Sequence, residues 1–301
     1  MNGYLIVNAF MKDNKFKDVY DLFLKSFSNT NIKLEVKTNI DLLDILNNHK
    51  QFKNKPDFVI FFDKDIYLAQ RLEMLNIPVF NSSNSIRLCD NKSLTYLELS
   101  KKDITIPPTI IAPKTFESIN FNNTYFVDKA ISKLGLPLII KEAYGSFGQQ
   151  VYLLNSKEEI LDLIKNKIIY KDFLFQKFIK TSCGKDIRVN IVGGKIVNAI
   201  YRENKSDFRS NISNGGSAKV IKLNSKQEEI ALKAFNALNL DFAGIDILFG
   251  ENDLPIICEV NSNFHFYSTY KVTGVNLADY IRDYMIEKLK WFIFFLNYKN
   301  H

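Results

Sequence analysis

The sequence predicts a protein that is α/β in its first part and α+β in the rest. The first part is a parallel-sheet unit, and the remainder is mixed. Three observations carry this. Strand and helix signals alternate over the first ninety residues. Two adjacent prolines, Pro107 and Pro108, then break the rhythm. Beyond them, closely spaced strands flank a glycine loop and a carboxylate-bearing hairpin. At 301 residues the chain is long enough for about two domains.

The elements follow in order. Tyr4–Val7 is a short apolar run and reads as a first strand. Phe16, Val19, Tyr20, Phe23, Leu24 and Phe27 recur at helical spacing. Ile32–Val36 alternates like a strand, and Asp41–Asn48 reads as a short helix. Phe58–Phe62 is continuous and β-rich, which suits a strand buried on both faces. Ile66–Leu75 is helical and Ile77–Phe80 is another strand. This βαβα order implies parallel pairing through crossover helices.

Asn84–Leu99 reads as one helix. Ile106-Pro107-Pro108-Thr109 forces an extended connection, because a residue before proline is pushed out of the α region. With the polar stretch Asn120–Asn123 it marks a boundary near residues 100–120. A second unit has helix Val127–Leu134, strand Leu138–Lys141, the glycine loop, strand Gln150–Leu154, helix Lys157–Asn166 and strand Phe173–Phe178. The last unit has strands Ile187–Val192 and Lys195–Ala199, a polar loop to Gly216, helix Ser225–Leu238, and strands Gly244–Phe249 and Pro255–Val260. A helix from about Asn276 closes it. The expected divisions are 1–105, 106–182 and 183–301.

Charge and cysteine usage bound the function classes. Forty basic residues against 33 acidic give a net charge of +7. That permits an anionic partner without choosing one. Nucleic acid is disfavoured, because the lysines are scattered and form no tail. Cys89, Cys183 and Cys258 are far apart and lack zinc-like spacing, which fits a reducing cytoplasm. The N-terminus reads as a strand and not as a signal peptide. No apolar run reaches the roughly 18 residues of a membrane span. The apolar stretch Trp291–Leu296 reads as a packed terminal helix or a tail, with a membrane-surface role as the alternative.

Three groups of residues could carry chemistry. In the first, strand Leu138–Lys141 runs into Gly145-Ser146-Phe147-Gly148. Glycine lets backbone N–H groups approach phosphate oxygens, and Lys141 can reach the same place. The alternative is a hairpin turn. In the second, Asp246 sits in an apolar strand, and Glu259 and Asn261 are two apart and share a face. Two carboxylates and an amide oxygen form a hard donor set for Mg²⁺. In the third, Arg188, Arg202 and Arg209-Ser210-Asn211 supply rigid forks for phosphate or carboxylate oxygens. For any one arginine a surface salt bridge is the alternative.

Together these motifs resemble the ATP-grasp superfamily, and within it the RimK-type glutamate ligases. The resemblance runs over about residues 84–280. It rests on Asp90-Asn91-Lys92-Ser93, Ile106-Pro107-Pro108-Thr109, Leu136–Lys141, Gly145–Gly148, Phe175–Ile179, Gly184–Arg188, Asp207–Asn211, Phe242–Asp246 and Glu259–Asn263. The first ninety residues look like the Rossmann-like first domain of these enzymes.

The resemblance implies ATP held between two α+β lobes. Lys92 and Lys141 would meet the α- and β-phosphates, under a lid of Gly145, Ser146, Phe147 and Gly148. Gln176, Lys177, Phe178 and Ile179 would contact adenine, with Ile139, Phe175 and Leu248 as apolar walls. Asp186 would take the ribose hydroxyls. Asp246, Glu259 and Asn261 would hold two Mg²⁺ ions, or Mn²⁺ in their place. Arg202, Arg209, Ser210 and Asn211 would address the γ-phosphate and a reacting carboxylate, and Arg188 would face the same anions.

The implied reaction joins a small-molecule or peptide carboxylate to an amine through an acyl phosphate. Glutamate is the implied amino acid, and a homo-oligomer stays open. A small-molecule kinase and a non-catalytic nucleotide-binding module are the competing functions. Cys183 and Cys258 are expected to be packing residues, and His265 to pack or to contact substrate. Asn8, Lys12, Asp63 and Lys64 follow the first and third strands, where ligands of parallel sheets sit. They read equally as polar loop ends.

Overall fold

The computed structural model describes residues 1–11, 16–43, 55–116, 119, 121, 123–212 and 215–299, with side chains to Trp291. Most of the expected helix at 41–48, together with Lys12, Asn120 and the side chains of 292–296, lies outside the described residues.

The first sheet is parallel. Its elements are β1 (Asn2–Val7), α1 (Lys17–Phe27), β2 (Lys33–Thr38), β3 (Phe58–Phe61), α2 (Ile66–Met74) and β4 (Val79–Phe80). The strand order is β2-β1-β3-β4. β3 is buried on both faces, as its unbroken apolar run requires.

Two helices follow where one was expected: α3 (Ser83–Asp90) and α4 (Lys92–Ser100). The break is at Asn91, whose extended backbone lets its side chain accept the Leu94 N–H and start α4 afresh. That cap fixes Lys92 at the first turn of α4.

The second sheet comprises β5 (Thr109–Ile111), β6 (Leu138–Glu142), β7 (Val151–Leu154) and β8 (Phe173–Lys177), in order β5-β8-β6-β7. Helices α5 (Tyr125–Leu134) and α6 (Lys157–Leu163) accompany it. A π-helical turn, Ile164–Ile168, extends α6. Phe175 is fully buried with Phe126 and Phe173 in this core.

The third sheet holds β9 (Lys185–Val192), β10 (Lys195–Glu203), β11 (Ser217–Val220), β12 (Phe242–Phe249) and β13 (Pro255–Asn261), in order β11-β10-β9-β12-β13. Helix α7 (Ser225–Ala237) covers one face. Ile187, Val189, Ile245 and Ile247 pack there against Ile230, Ala234 and Phe235. Helices α8 (Tyr267–Thr273) and α9 (Leu277–Lys299) finish the chain. Gly274, at φ +70, ends α8 in the left-handed conformation that glycine adopts without strain. Leu277, Ile281, Met285 and Leu289 bury one stripe of α9 in the same core as Phe23 and Phe27. The described part of that helix is therefore a packed element.

One side chain joins the first sheet to the third. Asn81, with no exposed surface, follows β4. Its Nδ2 donates to Phe242 O at 2.9 Å and to Ser262 O at 3.1 Å. Its Oδ1 accepts from the N–H groups of Asp241 and Phe242 at 2.6 and 3.3 Å. Asn81→Ala strands these four backbone groups, so it is expected to cost about 2–4 kcal/mol of stability in urea unfolding. A loss below about 0.5 kcal/mol would show that the amide is dispensable.

Candidate functional site

The third sheet puts its charges on the face opposite α7. Asp186 and Arg188 are two apart on β9 and share that face. Arg202 on β10 is in register with Asp186. Asp246 on β12 is in register with Arg188 on one side and with Glu259 on the other. A bulge then shifts the register. Asp246 pairs with Glu259, but Ile247 pairs with Ile257, leaving Cys258 as the extra residue. The bulge explains how Cys258 and Glu259, neighbours in the chain, both line one cleft while Ile257 and Val260 both enter the core.

That cleft lies between the second and third sheets, with a cavity volume of about 120 Å³. Lys92, Lys141, Gly145, Ser146 and Gly148 line one side. Gln176 through Ile179, with Ile139 and Leu248, line another. Asp186, Arg202, Arg209, Ser210, Asn211, Asp246 and Glu259 complete it. A second cavity of about 540 Å³ lies on the side of the first sheet. Ser146, Arg202, Asn211 and Glu259 line both, so the two spaces meet at these four residues.

Four of the expected nucleotide or metal residues are placed differently. Phe147 lines the second cavity and packs edge-on to Phe16, with ring centroids 6.0 Å apart. Arg188 and Asn261 also line only the second cavity. Phe175 lies in the core of the second sheet, because β8 alternates and Gln176 takes the cleft side. The cysteines are corrected too. Cys258 lines the cleft and Cys183 is exposed, so neither is a core residue. His265 stands edge-on to Phe16 at 5.5 Å between centroids and lines the second cavity.

The electrostatics are those of a site built for anions. Lys92 is buried; its Nζ donates to Gly145 O at 3.2 Å and lies 3.7 Å from Glu259 Oε1. Burial pulls its ammonium below the usual lysine range, and Glu259 only partly offsets this. Lys141 Nζ donates to Tyr96 Oη at 3.0 Å and lies 3.7 Å from Cys258 Sγ. Among the described residues no carboxylate lies within ion-pairing distance of it. A buried cation without a counter-anion is costly, and phosphate oxygens would supply the anion.

Arg202 forks onto Asp186 at 2.8 and 2.5 Å and reaches Asp246 at 2.9 Å. Arg188 also grips Asp246, through Nε and, at 2.8 Å, Nη2. Burial would push the Asp246 carboxyl up, but the two guanidiniums outweigh it and hold it below the usual range. Arg209 donates to Gly148 O at 2.6 Å and so ties the glycine loop to the third sheet's unit. Asp207 holds that guanidinium at 2.8 and 3.0 Å. Gly148 has φ +72, and a Cβ there would sit 3.1 Å from Arg209 Cδ.

Sequence reasoning assigned no role to Tyr96, Thr109 and Phe208. Tyr96 reaches Lys141 from α4 and also donates to Cys258 O at 2.5 Å. Thr109 accepts from Gln176 Nε2 at 2.9 Å. Phe208 stacks under Arg209. Thr109 and Phe208 stand inside the motifs Ile106–Thr109 and Asp207–Asn211; nothing local marked Tyr96.

Asn8, Asp63 and Lys64 all line the second cavity. Lys64 bonds Asp90 and also Ser146 Oγ, the latter at 3.0 Å, which links the first unit to the glycine loop. Burial lifts the Asp63 carboxyl above its usual range. The folded-state pKa is raised, so ionised Asp63 costs stability at neutral pH. The cost is relieved as pH falls through the raised value to below about 3.9. Asp63→Asn is therefore expected to melt at or above the wild-type temperature at pH 7, with that advantage gone near pH 3. A lower melting temperature for the variant at pH 7 would contradict the sign.

A cleft between two α+β lobes, carrying paired lysines, a glycine loop and a carboxylate–arginine sheet face, defines an ATP-grasp ligase, a class that uses ATP to form C–N bonds. Residues 89–285 match the model of the RimK-like ATP-grasp domain, and the chain belongs to that family. The "Uncharacterized protein MG012 homolog" of Mycoplasma pneumoniae is 31% identical over 86% of this chain and 90% of its own. Human N-acetylaspartylglutamate synthase A is 30% identical over 80% of this chain, which spans 63% of the human enzyme. Among solved structures, the D-alanine–D-alanine ligase of Bacillus anthracis in complex with ATP shares the fold, with a TM-score of 0.72 at 19% identity. That match covers 96% of this chain and 97% of the ligase. Among the described residues no helix is long and apolar enough to cross a membrane.

Proposed function

We propose that the chain is a Mg²⁺-dependent ligase joining a carboxylate to the amine of an amino acid, with glutamate as the first candidate. The observation that carries this is the meeting of two cavities at Ser146, Arg202, Asn211 and Glu259. A nucleotide in the first would present its γ-phosphate to a carboxylate in the second. The carboxylate oxygen attacks phosphorus and ADP leaves. The amine nitrogen then attacks the acyl carbon, orthophosphate leaves with the bridging oxygen, and the amine proton goes to solvent.

This chain's residues have separable parts in that sequence. Lys92 and Lys141 bind and orient phosphates, and Lys141 gains the anion it lacks. Arg202 and Arg209 neutralise charge as it builds on the transferring group. Asp186 meets the ribose, and Gln176 through Ile179 border the base. Asp246 and Glu259 offer oxygen donors in the cleft that suit Mg²⁺, which supplies charge neutralisation at the phosphates when bound, while Asn261 stands on the second-cavity side of Glu259. Asp246 already carries two guanidiniums. The human relative is named for a glutamate-containing product, which favours glutamate.

A release assay over pooled carboxylates and amino acids tests this reading. ADP release is expected only when a carboxylate and an amine are both present, with one amide formed per ADP. Phosphorylated product from a carboxylate-free, amine-free pool would replace it with the kinase reading.

A further inference from the structure

Asp63 follows β3 and faces the second cavity, yet it is only 5% exposed. Its oxygens accept from Asn8 Nδ2 at 3.1 and 3.3 Å and from the Lys64 N–H at 2.7 Å. All of these donors are neutral. Among the described residues no lysine or arginine lies within ion-pairing distance of it, because the Lys64 ammonium turns away to Asp90 and Ser146. A carboxylate buried against neutral donors is costly to keep ionised. A second acceptor lines the same cavity: Asn263 Oδ1 is buried and has no hydrogen-bond partner. An anion and a bare carbonyl repel a carboxylate and suit an N–H cation.

We infer that Asp63, supported by Asn8, is a specificity subsite for a substrate ammonium group that does not react. The inference rests on the ligase reading above. In that reading, bond formation occurs where the cavities meet, at Ser146, Arg202, Asn211 and Glu259. Asp63 and Asn8 line the second cavity alone, so the nitrogen held there is not the attacking one. One of the two substrates is therefore an acid or amine that keeps a free ammonium, such as an amino acid or a diamine. An N-acylated or fully deaminated acid does not fill the subsite.

The test uses calorimetric binding to the full chain loaded with Mg²⁺ and a non-hydrolysable ATP analogue. The probes are matched pairs that differ by one ammonium: L-glutamate against glutarate, and L-lysine against L-norleucine. In at least one pair the aminated member is expected to bind at least about tenfold more tightly. Asp63→Asn brings that ratio close to one, and Asp63→Glu restores part of it. Equal binding within every pair, or a ratio unchanged in Asp63→Asn, would overturn the subsite. Should Asp63→Asn fail to fold, Asn8→Ala, which removes the side chain that holds Asp63, is expected to lower the ratio, and an unchanged ratio would overturn the subsite. Amide formation without an ammonium preference sinks only the subsite. An ammonium preference without amide formation from any pair sinks only the ligase reading.

Discussion

Glu259→Gln is expected to lower kcat by about 10²–10³ while leaving the fold intact. The side chain is about one-third exposed and its nearest cation, Lys92, is 3.7 Å away. The pair is loose and open to water on the Glu259 side, so it matters less to stability than an ion pair buried on both sides. The place of Glu259 is different in kind. It is the one carboxylate among the described residues that borders both cavities. Glutamine keeps the shape and removes the charge. Single-turnover kinetics on the variant, alongside a melting curve, separate the two effects. Turnover within a factor of about three of wild type would remove Glu259 from the chemistry.

Arg202→Met is expected to have the largest effect on stability. Arg202 is 7% exposed and bonds both Asp186 and Asp246. Removing it leaves Asp186 without its bidentate partner, and Asp246 with Arg188 alone. Breaking a buried pair from one side costs about 3–5 kcal/mol, because the remaining charge stays buried. In a chain of this size that is a fall in Tm of about 10 °C. Arg202→Lys keeps the charge but loses the fork, so it should fall in between. A melting temperature for Arg202→Met within about 2 °C of wild type would mean that the acids find other partners.

The sheet-borne part of the site was legible because strands have a period of two. Glu259 and Asn261 declare a shared face by their spacing alone. The glycine loop was legible because Gly145 and Gly148 sit at the end of an apolar strand. Alternation fails where the backbone departs from it. The bulge at Cys258 puts two consecutive residues in the cleft, and no side-chain pattern announces a bulge. Phe147 and Phe175 were misplaced for a related reason: an aromatic near a nucleotide motif packs equally well on a neighbouring core. The break at Asn91 carried a usable signal, an asparagine able to cap a new helix. The reach of Tyr96 to Lys141 is tertiary, across 45 residues, and no local rule contains it. Asn81 is the same case at greater range, since its partners lie 160 to 181 residues away.

In the proposed reaction a carboxylate is phosphorylated where the two cavities meet, before an amine displaces phosphate. Transfer of oxygen tests it most directly. The carboxylate identified by the release assay is labelled with ¹⁸O and turned over with ATP and the amine, and the orthophosphate is read by mass spectrometry. One labelled oxygen should appear in orthophosphate for each amide formed. Amide accumulating with unlabelled orthophosphate would contradict the account.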